Sequence, residues 1–246
     1  MIIGISSLVK ELDKAIEICK KNEIINHIEI GIDNLTECIE VLKYKNEFER
    51  NSISIGIHLP LELNTCENID YIRNSWKDFI HEIELGLKQI EVKYYNMHLG
   101  YAITSRFEKN KNIYLNNSIN FLKSINLENK YIFIENTYTN SGDICNIGTK
   151  VCDFEYILNN VGNIEFCYDT GHNLINKGDF LRLKNKMNLI HLSDNNGKKD
   201  LHIGLGRGVL DLNILKNLRS INPKYLVLEI KYEYIEESIK ILERFI

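Results

Sequence analysis

A chain of 246 residues that is 44% hydrophobic and 26% charged has ordinary globular composition and enough length for a large core. Its net charge is −4, with 23 lysines, seven arginines and no basic run longer than Lys20-Lys21 or Lys198-Lys199, which argues against a protein that lives mainly by phosphate-backbone contacts. No apolar run approaches the roughly 20 residues of a membrane helix, so a helical membrane protein is excluded.

Short β-rich runs alternate with amphipathic helical runs. In chain order, the strand at Ile2–Ser6 leads to a helix at Leu8–Asn22, where Leu8, Leu12, Ala15, Ile16 and Cys19 form one apolar stripe. The strand His27–Ile32 precedes a helix at Leu35–Phe48, and Ser52–His58 precedes one at Asn68–Ile90, whose Trp76 is expected to pack on a barrel wall. The strands Lys93–His98 and Lys130–Glu135 are followed by helices at Ile113–Ile125 and Phe154–Val161. The strands Asn163–Asp169, Asn188–Ser193 and Lys224–Ile230 are followed by helices at Phe180–Lys186, Leu212–Leu218 and Glu233–Phe245.

Eight such units in about 250 residues predict an α/β fold, a (β/α)8 TIM barrel, because strand–helix alternation requires parallel pairing and eight parallel strands can close. An open doubly wound sheet would carry a Gly-rich phosphate loop after its first strand, and Gly4-Ile-Ser-Ser-Leu is not one. With two prolines, Pro60 and Pro223, and no Pro-, Gly- or Ser-rich linker, residues 1–246 read as a single domain. The six cysteines form no CxxC pair, and Met1-Ile-Ile-Gly opens straight into a strand. The expectation is a cytoplasmic protein with reduced thiols and no leader.

The residues that carry chemistry fall at the strand ends, where barrel active sites form. Six consecutive strands each deliver one metal-capable side chain: His58, His98, Glu135, Asp169, His191 and Glu229. Loops add His172, three residues after Asp169 with Gly171 permitting a tight turn, and the pair Asp200 and His202. Imidazole and carboxylate are the ligand types for zinc, manganese and similar divalent ions. Residues two apart share a strand face, so Glu135 goes with Phe133 and Asp169 with Cys167, while Gly56 beneath His58 leaves room for ligands. His27 and His81 fit no pattern and are assigned to packing or surface. Gly204-Leu-Gly206-Arg-Gly208 does not open a helix after a strand and is not a dinucleotide loop.

With these motifs in view, the chain resembles the xylose-isomerase-like TIM-barrel superfamily, which joins sugar and sugar-phosphate isomerases and epimerases with the endonuclease IV type of apurinic endonuclease. The resemblance runs from Ile2 to Glu229. Its most specific pieces are Asp169-Thr-Gly-His172-Asn and His191-Leu-Ser-Asp-Asn-Asn-Gly-Lys-Lys-Asp200-Leu-His202-Ile-Gly-Leu-Gly-Arg-Gly208. In the isomerase branch the resemblance implies one metal on Glu135, Asp169, His191 and Glu229, with Glu135 and Glu229 as the catalytic pair that exchanges a proton beside a metal-held carbonyl. In the endonuclease branch it implies three ions: one on His58, His98 and Glu135, one on Glu135, Asp169, His191 and Glu229, and one on His172, Asp200 and His202. Two departures are visible. Ser6 and Ser7 stand where the endonuclease pattern has a histidine, and Leu99-Gly-Tyr-Ala replaces its strand-four loop. His58-Leu-Pro-Leu-Glu-Leu-Asn64 with Ile72-Arg73 looks instead like a branch described as sugar-phosphate isomerase/epimerase-like.

The expected function is a divalent-metal-dependent isomerase or epimerase acting on a small sugar or sugar phosphate, with one to three zinc or manganese ions and with Lys198 and Arg207 binding substrate. The alternative is an endonuclease IV-like phosphodiesterase acting on abasic DNA, and only that alternative makes nucleic acid a partner. A barrel that binds metal or ligand without turnover is a third class.

Overall fold

The computed structural model of the chain describes residues 1–125, 127, 130–140 and 142–245. Its elements in chain order are β1 (Ile2–Leu8), α1 (Leu12–Lys21), β2 (Ile25–Gly31), α2 (Leu35–Leu42), α3 (Lys45–Arg50), β3 (Ser54–His58), α4 (Asp70–Gly86), β4 (Val92–His98), β5 (Tyr101–Ile103), α5 (Thr104–Ser124), β6 (Tyr131–Glu135), β7 (Ile144–Asn146), α6 (Val151–Asn160), β8 (Ile164–Asp169), α7 (Thr170–Asn176), β9 (Met187–Leu192), α8 (Ile214–Ile221), β10 (Tyr225–Leu228) and α9 (Ile235–Leu242). Eight of the strands close a barrel in the order β1-β10-β9-β8-β6-β4-β3-β2, every pairing parallel. This is the TIM barrel expected from the alternation of the sequence.

The remaining two strands, β5 and β7, pair antiparallel outside the barrel. They lie in the loops after β4 and β6, where only loop was expected, because three-residue strands are too short to show a period. The departure at Leu99-Gly-Tyr-Ala is therefore the start of β5. Gly100 is required there: its φ is +107°, and a Cβ would sit 2.2 Å from Asn64 Oδ1. Other boundaries also shift. Leu8 closes β1 and is exposed instead of joining the α1 stripe, which is Leu12, Ala15, Ile16 and Cys19. The Leu35–Phe48 helix breaks into α2 and α3, and Phe180–Lys186 is a 3-10 helix. No helix among the described residues is long and apolar enough to cross a membrane.

Most of the core lies between the strands and the helices, with Trp76 packed against it. A second, smaller cluster fills the barrel axis: Tyr94, Phe133, Cys167, Leu189, Tyr225 and Val227. Strand alternation then sets the next layer. Two residues further along β4, β6, β8, β9 and β10 on the same face come Asn96, Glu135, Asp169, His191 and Glu229. The apolar plug therefore supports a polar layer directly above it.

Gly56 has a role other than leaving space for ligands. A Cβ on it would lie 2.2 Å from the Tyr94 ring, so the room beneath His58 is filled by that ring. His27, read as packing from its lack of pattern, is buried in this layer, with Nδ1 2.8 Å from Ser54 Oγ and Nε2 2.9 Å from Tyr94 Oη. His81 is exposed on α4.

Two expectations follow from this packing. Gly56→Ala should lower the urea unfolding free energy by about 1–3 kcal/mol, the usual overpacking cost, since a buried tyrosine ring has no room to retreat. An unchanged midpoint and slope would contradict the contact. Burial pushes the His27 pKa down to about 3. The unfolded chain, near 6.5, then takes up this proton first. The stability His27 contributes is complete above about pH 6.5 and is lost as pH falls toward 3. Its ring proton resonances should stay flat from pH 8 to pH 5, and a midpoint inside that window would refute the burial argument.

Candidate metal centre

Every candidate ligand reaches one end of the barrel. His58, His98, Glu135 and Asp169 are the last residues of β3, β4, β6 and β8. His191 is the penultimate residue of β9, and Glu229 follows the last residue of β10. Asp169 also caps α7: its Oδ1 accepts from the His172 backbone N–H, which turns the His172 side chain back over the cluster. Gly171 in this turn has an ordinary φ and is needed for close approach, since a Cβ would lie 2.2 Å from Ser193 Oγ. Asp200 and His202 come from the irregular β9–β10 connection. His202 adopts φ +48°, a left-handed conformation uncommon for a side chain of this size, and its Nδ1 lies 2.9 Å from the Glu229 carbonyl.

Glu135 is the hub. It is 1% exposed, and both of its oxygens face histidines. Oε1 lies 3.4 Å from His98 Nε2 and 3.4 Å from His172 Nδ1. Oε2 lies 3.4 Å from His58 Nε2 and 3.2 Å from His191 Nδ1, and accepts from Asn96 Nδ2 at 2.6 Å. The same His191 nitrogen is 2.9 Å from Glu229 Oε2. The donor atoms of His58, His98 and Glu135 lie within 4.8 Å of one another, and so do those of Glu135, Asp169, His191 and Glu229. Beside these, His172 Nε2 and His202 Nε2 lie 3.3 and 3.0 Å from Asp200 Oδ2, a looser set that does not meet the same mutual distance.

These contacts suit protonated imidazoles paired with carboxylates or, equally, ligands turned toward a shared cation. His58 and His172 each place Nδ1 2.8 Å from a backbone carbonyl, of Leu59 and Asn136, as His202 does with Glu229. A carbonyl only accepts, so each Nδ1 carries the hydrogen and each neutral ring keeps its Nε2 lone pair. Those lone pairs face carboxylate oxygens, which is repulsive unless a proton or a cation lies between. Of nine buried side-chain atoms without a hydrogen-bond partner among the described residues, five belong to the candidate ligands: His98 Nε2, Asp169 Oδ2, His191 Nδ1, Asp200 Oδ1 and Glu229 Oε2. An unsatisfied buried polar group costs about 1–3 kcal/mol, so five at one place call for a common partner. The donor set fits divalent cations.

The electrostatics carry the same mark. Burial opposes a charge on His58, but the adjoining Glu135 carboxylate outweighs it and lifts the imidazole to about 9. Burial likewise opposes a charge on His202, and Asp200 and Glu229 overcome it and raise that ring to about 10. Burial, with Glu229 and Glu135 behind it, lifts Asp169 to about 8. Burial works against the Glu229 charge too, yet His191 holds it down at about 2. Without cations the cluster therefore retains protons that a metal must displace.

A cavity of about 890 Å³ opens above the cluster, within the range of small-molecule sites. His58, His98, His172, Asp200, His202 and Glu229 reach it, while Glu135 lies beneath their side chains. Leu59, Tyr101, Tyr138, Ile230 and Tyr232 give it apolar and aromatic walls, and Tyr101 and Asn146 bring β5 and β7 to its edge. Lys198 and Arg207 do not line it. Lys198 is exposed, and Arg207 pairs with Glu237 at 2.6 Å and lies over the Tyr234 ring. The cations that do line it are Lys14 and Lys231. The glycines around Arg207 serve packing: a Cβ on Gly208 would meet the Asn195 carbonyl at 2.1 Å, and one on Gly204 would meet Tyr234 at 2.6 Å.

Sequence reasoning passed over Glu29, Tyr94 and Asn96. Glu29 is 2% exposed on β2, 2.9 Å from His191 Nε2 and 2.7 Å from Tyr94 Oη. Its signal was present, since an acid inside the apolar run Ile28-Glu29-Ile30 is costly to bury without a partner.

Comparison with known proteins agrees with this architecture. A relative from Methanocaldococcus jannaschii, itself uncharacterized, is 28% identical over 220 residues, which is 87% of this chain and 84% of the relative. A probable endonuclease 4 of Mycoplasma mycoides subsp. mycoides is 26% identical over 204 residues, 70% of this chain but 65% of that protein. The crystal structure of a D-tagatose 3-epimerase-like protein superposes with a TM-score of 0.84 at 21% identity, covering 100% of this chain and 97% of the other, a likeness of fold. The model of the family described as xylose isomerase-like TIM barrel matches residues 8–245, and the chain belongs to that family.

Proposed function

We propose that the chain is a metal-dependent hydrolase of phosphoric esters small enough to enter the cavity, with phosphorylated sugars as the leading substrate class. One observation carries this reading: both oxygens of Glu135 are enclosed by four histidines and Asn96, between two ligand groups. A carboxylate shared in this way suits more than one ion, and Asp200, with His172 and His202 beside it, would extend the centre if those side chains closed on a further one. Divalent ions held there would supply Lewis-acid charge for polarising a phosphoryl oxygen and acidifying water, the chemistry of polynuclear phosphoester hydrolysis.

The protein's own groups have distinct parts in this reading. Glu135 and Asp169 hold the centre from below. Glu229 lines the cavity and turns its buried Oε2 toward His191 Nδ1, so it joins the inner ligand atoms from the cavity side. Tyr138, whose ring centroid is 5.3 Å from that of His172, and Tyr232, which donates to Ser7 Oγ at 2.7 Å, form walls that orient a ring and exclude water. Ser6, Asp33 and Asn146 offer partners for hydroxyl groups, and Lys14 and Lys231 offer charge to a phosphate.

Duplex nucleic acid fits this mouth poorly. Beside its two lysines stand Glu11, Asp33 and Glu233, so among the described residues the mouth carries no basic track for a phosphate backbone. The second reading is isomerisation or epimerisation of a small sugar or sugar phosphate, with Glu135 and Glu229 exchanging the proton. It is favoured by the complete inner set of Glu135, Asp169, His191 and Glu229 and by a rim rich in hydroxyl partners. It requires a free Glu135 oxygen, and both are enclosed.

Metal analysis of zinc- or manganese-loaded protein, with two assays, separates the readings. Hydrolysis predicts more than one ion per chain and release of phosphate from sugar phosphates or nitrophenyl esters. Asp200→Asn should then lose one ion and at least the ~10–100-fold in activity that loss of even an outer partner costs. One ion per chain, with deuterium entering the carbon beside a sugar carbonyl and no phosphate released, would replace hydrolysis with epimerisation. Nicking of abasic duplex would restore the nucleic-acid reading. Metal affinity should also fall about tenfold or more per pH unit below pH 8, because His58, His202 and Asp169 must shed protons to bind. A flat profile from pH 8 to pH 6 would contradict the proton–metal competition.

A further inference from the structure

We propose that Glu29, held by Tyr94 and His27, is a positioning residue that fixes His191 as an Nδ1 ligand of the inner metal site. This inference rests on the metal centre and is independent of which reaction the centre performs.

His191 is the exception among the candidate ligands. His58, His172 and His202 anchor Nδ1 on backbone carbonyls and present Nε2. His191 is reversed. Its Nδ1 faces Glu229 and Glu135, at 2.9 and 3.2 Å, and its Nε2 lies between the two oxygens of Glu29, at 2.9 and 3.1 Å. The ring is fully buried, so no water can choose the tautomer. With both carboxylate oxygens of Glu29 turned to Nε2 as acceptors, the hydrogen is drawn onto Nε2 and the Nδ1 lone pair is left toward the cluster. A carboxylate behind a metal-binding imidazole also makes that imidazole a stronger ligand than a carbonyl does.

Glu29 in turn sits at the end of a chain of buried polar contacts. Tyr94 Oη lies 2.7 Å from Glu29 Oε2, His27 Nε2 lies 2.9 Å from Tyr94 Oη, and Ser54 Oγ lies 2.8 Å from His27 Nδ1. A phenol has one hydrogen. Given to Glu29, it makes Tyr94 an acceptor for the His27 Nε2 hydrogen, and His27 Nδ1 then faces Ser54 Oγ, whose own hydrogen is also within reach of the Asn26 carbonyl at 3.2 Å. Tyr94 sets the direction at the end nearest Glu29, because its single hydrogen, once given to the carboxylate, leaves His27 Nε2 as the donor to it. The chain runs through the apolar plug of the barrel, where Gly56 makes room for the Tyr94 ring. Interior polar residues of β2, β3 and β4 that no ligand reading uses thus become one support for one imidazole on β9.

The test uses the intact chain and two near-isosteric variants, Glu29→Gln and Tyr94→Phe. Zinc affinity is read by competition with a chromophoric chelator, and the His191 tautomer by long-range 15N–1H correlation of the zinc-loaded protein. Wild type should show hydrogen on Nε2 of His191. Glu29→Gln should weaken the inner site about 10–100-fold, the range for loss of such a partner, and Tyr94→Phe should weaken it less, with the other sites unchanged. A variant that unfolded would weaken all sites together, so a loss confined to one site marks positioning rather than folding. Unchanged zinc affinity in Glu29→Gln, or hydrogen on Nδ1 of His191 in wild type, would overturn the inference while leaving the metal centre standing. Wild type that binds no divalent ion would overturn both.

Discussion

The structure turns on the burial of one carboxylate. Glu135 sits at the barrel axis with almost no access to water, and an isolated charge there would cost far more than a domain of this size can spare. Its ionisation is held well below the usual carboxylate range because, although burial pushes the other way, His191 and His98 stand beside it. Four imidazoles on four different elements, β3, β4, α7 and β9, converge on its two oxygens. The closed barrel is the device that brings them together. No open sheet could surround one side chain from this many directions.

Beneath the carboxylate, the apolar plug of Tyr94, Phe133, Leu189 and Val227 serves two purposes. It closes the barrel to water from below, which makes every charge above it matter more. It also carries the polar thread from Ser54 through His27 and Tyr94 to Glu29, so that the imidazole of His191 is set from inside the core. The layers of a barrel interior thus have a graded character: packing low, hydrogen-bond direction in the middle, ligand atoms at the top.

Legibility followed distance along the chain. Strand–helix alternation is a local pattern, and all eight barrel strands lie within a few residues of where periodicity placed them. The strand-end positions of His58, His98, Glu135 and Asp169 were readable for the same reason. What failed was of two kinds. Short or irregular pieces, such as β5, β7 and the break between α2 and α3, are too brief to carry a period. Roles that depend on contact across the barrel left little local trace. Lys198 and Arg207 sit near the ligand motif in sequence, yet the loop carries them outward, where Arg207 meets Glu237 from α9.

The amino-acid sequence by itself determined the barrel, the single domain and the residue types that gather at one rim, because each of these is written in local period and strand-end chemistry. Only the tertiary structure decided which nitrogen each histidine presents, that Gly56 admits a tyrosine ring, and that Glu29 stands behind His191. The physical reason is that hydrogen-bond direction is set by partners far away in the chain. Glu29 and His191 are 162 residues apart, and nothing in either neighbourhood says which way the shared proton points until parallel strands bring the two together.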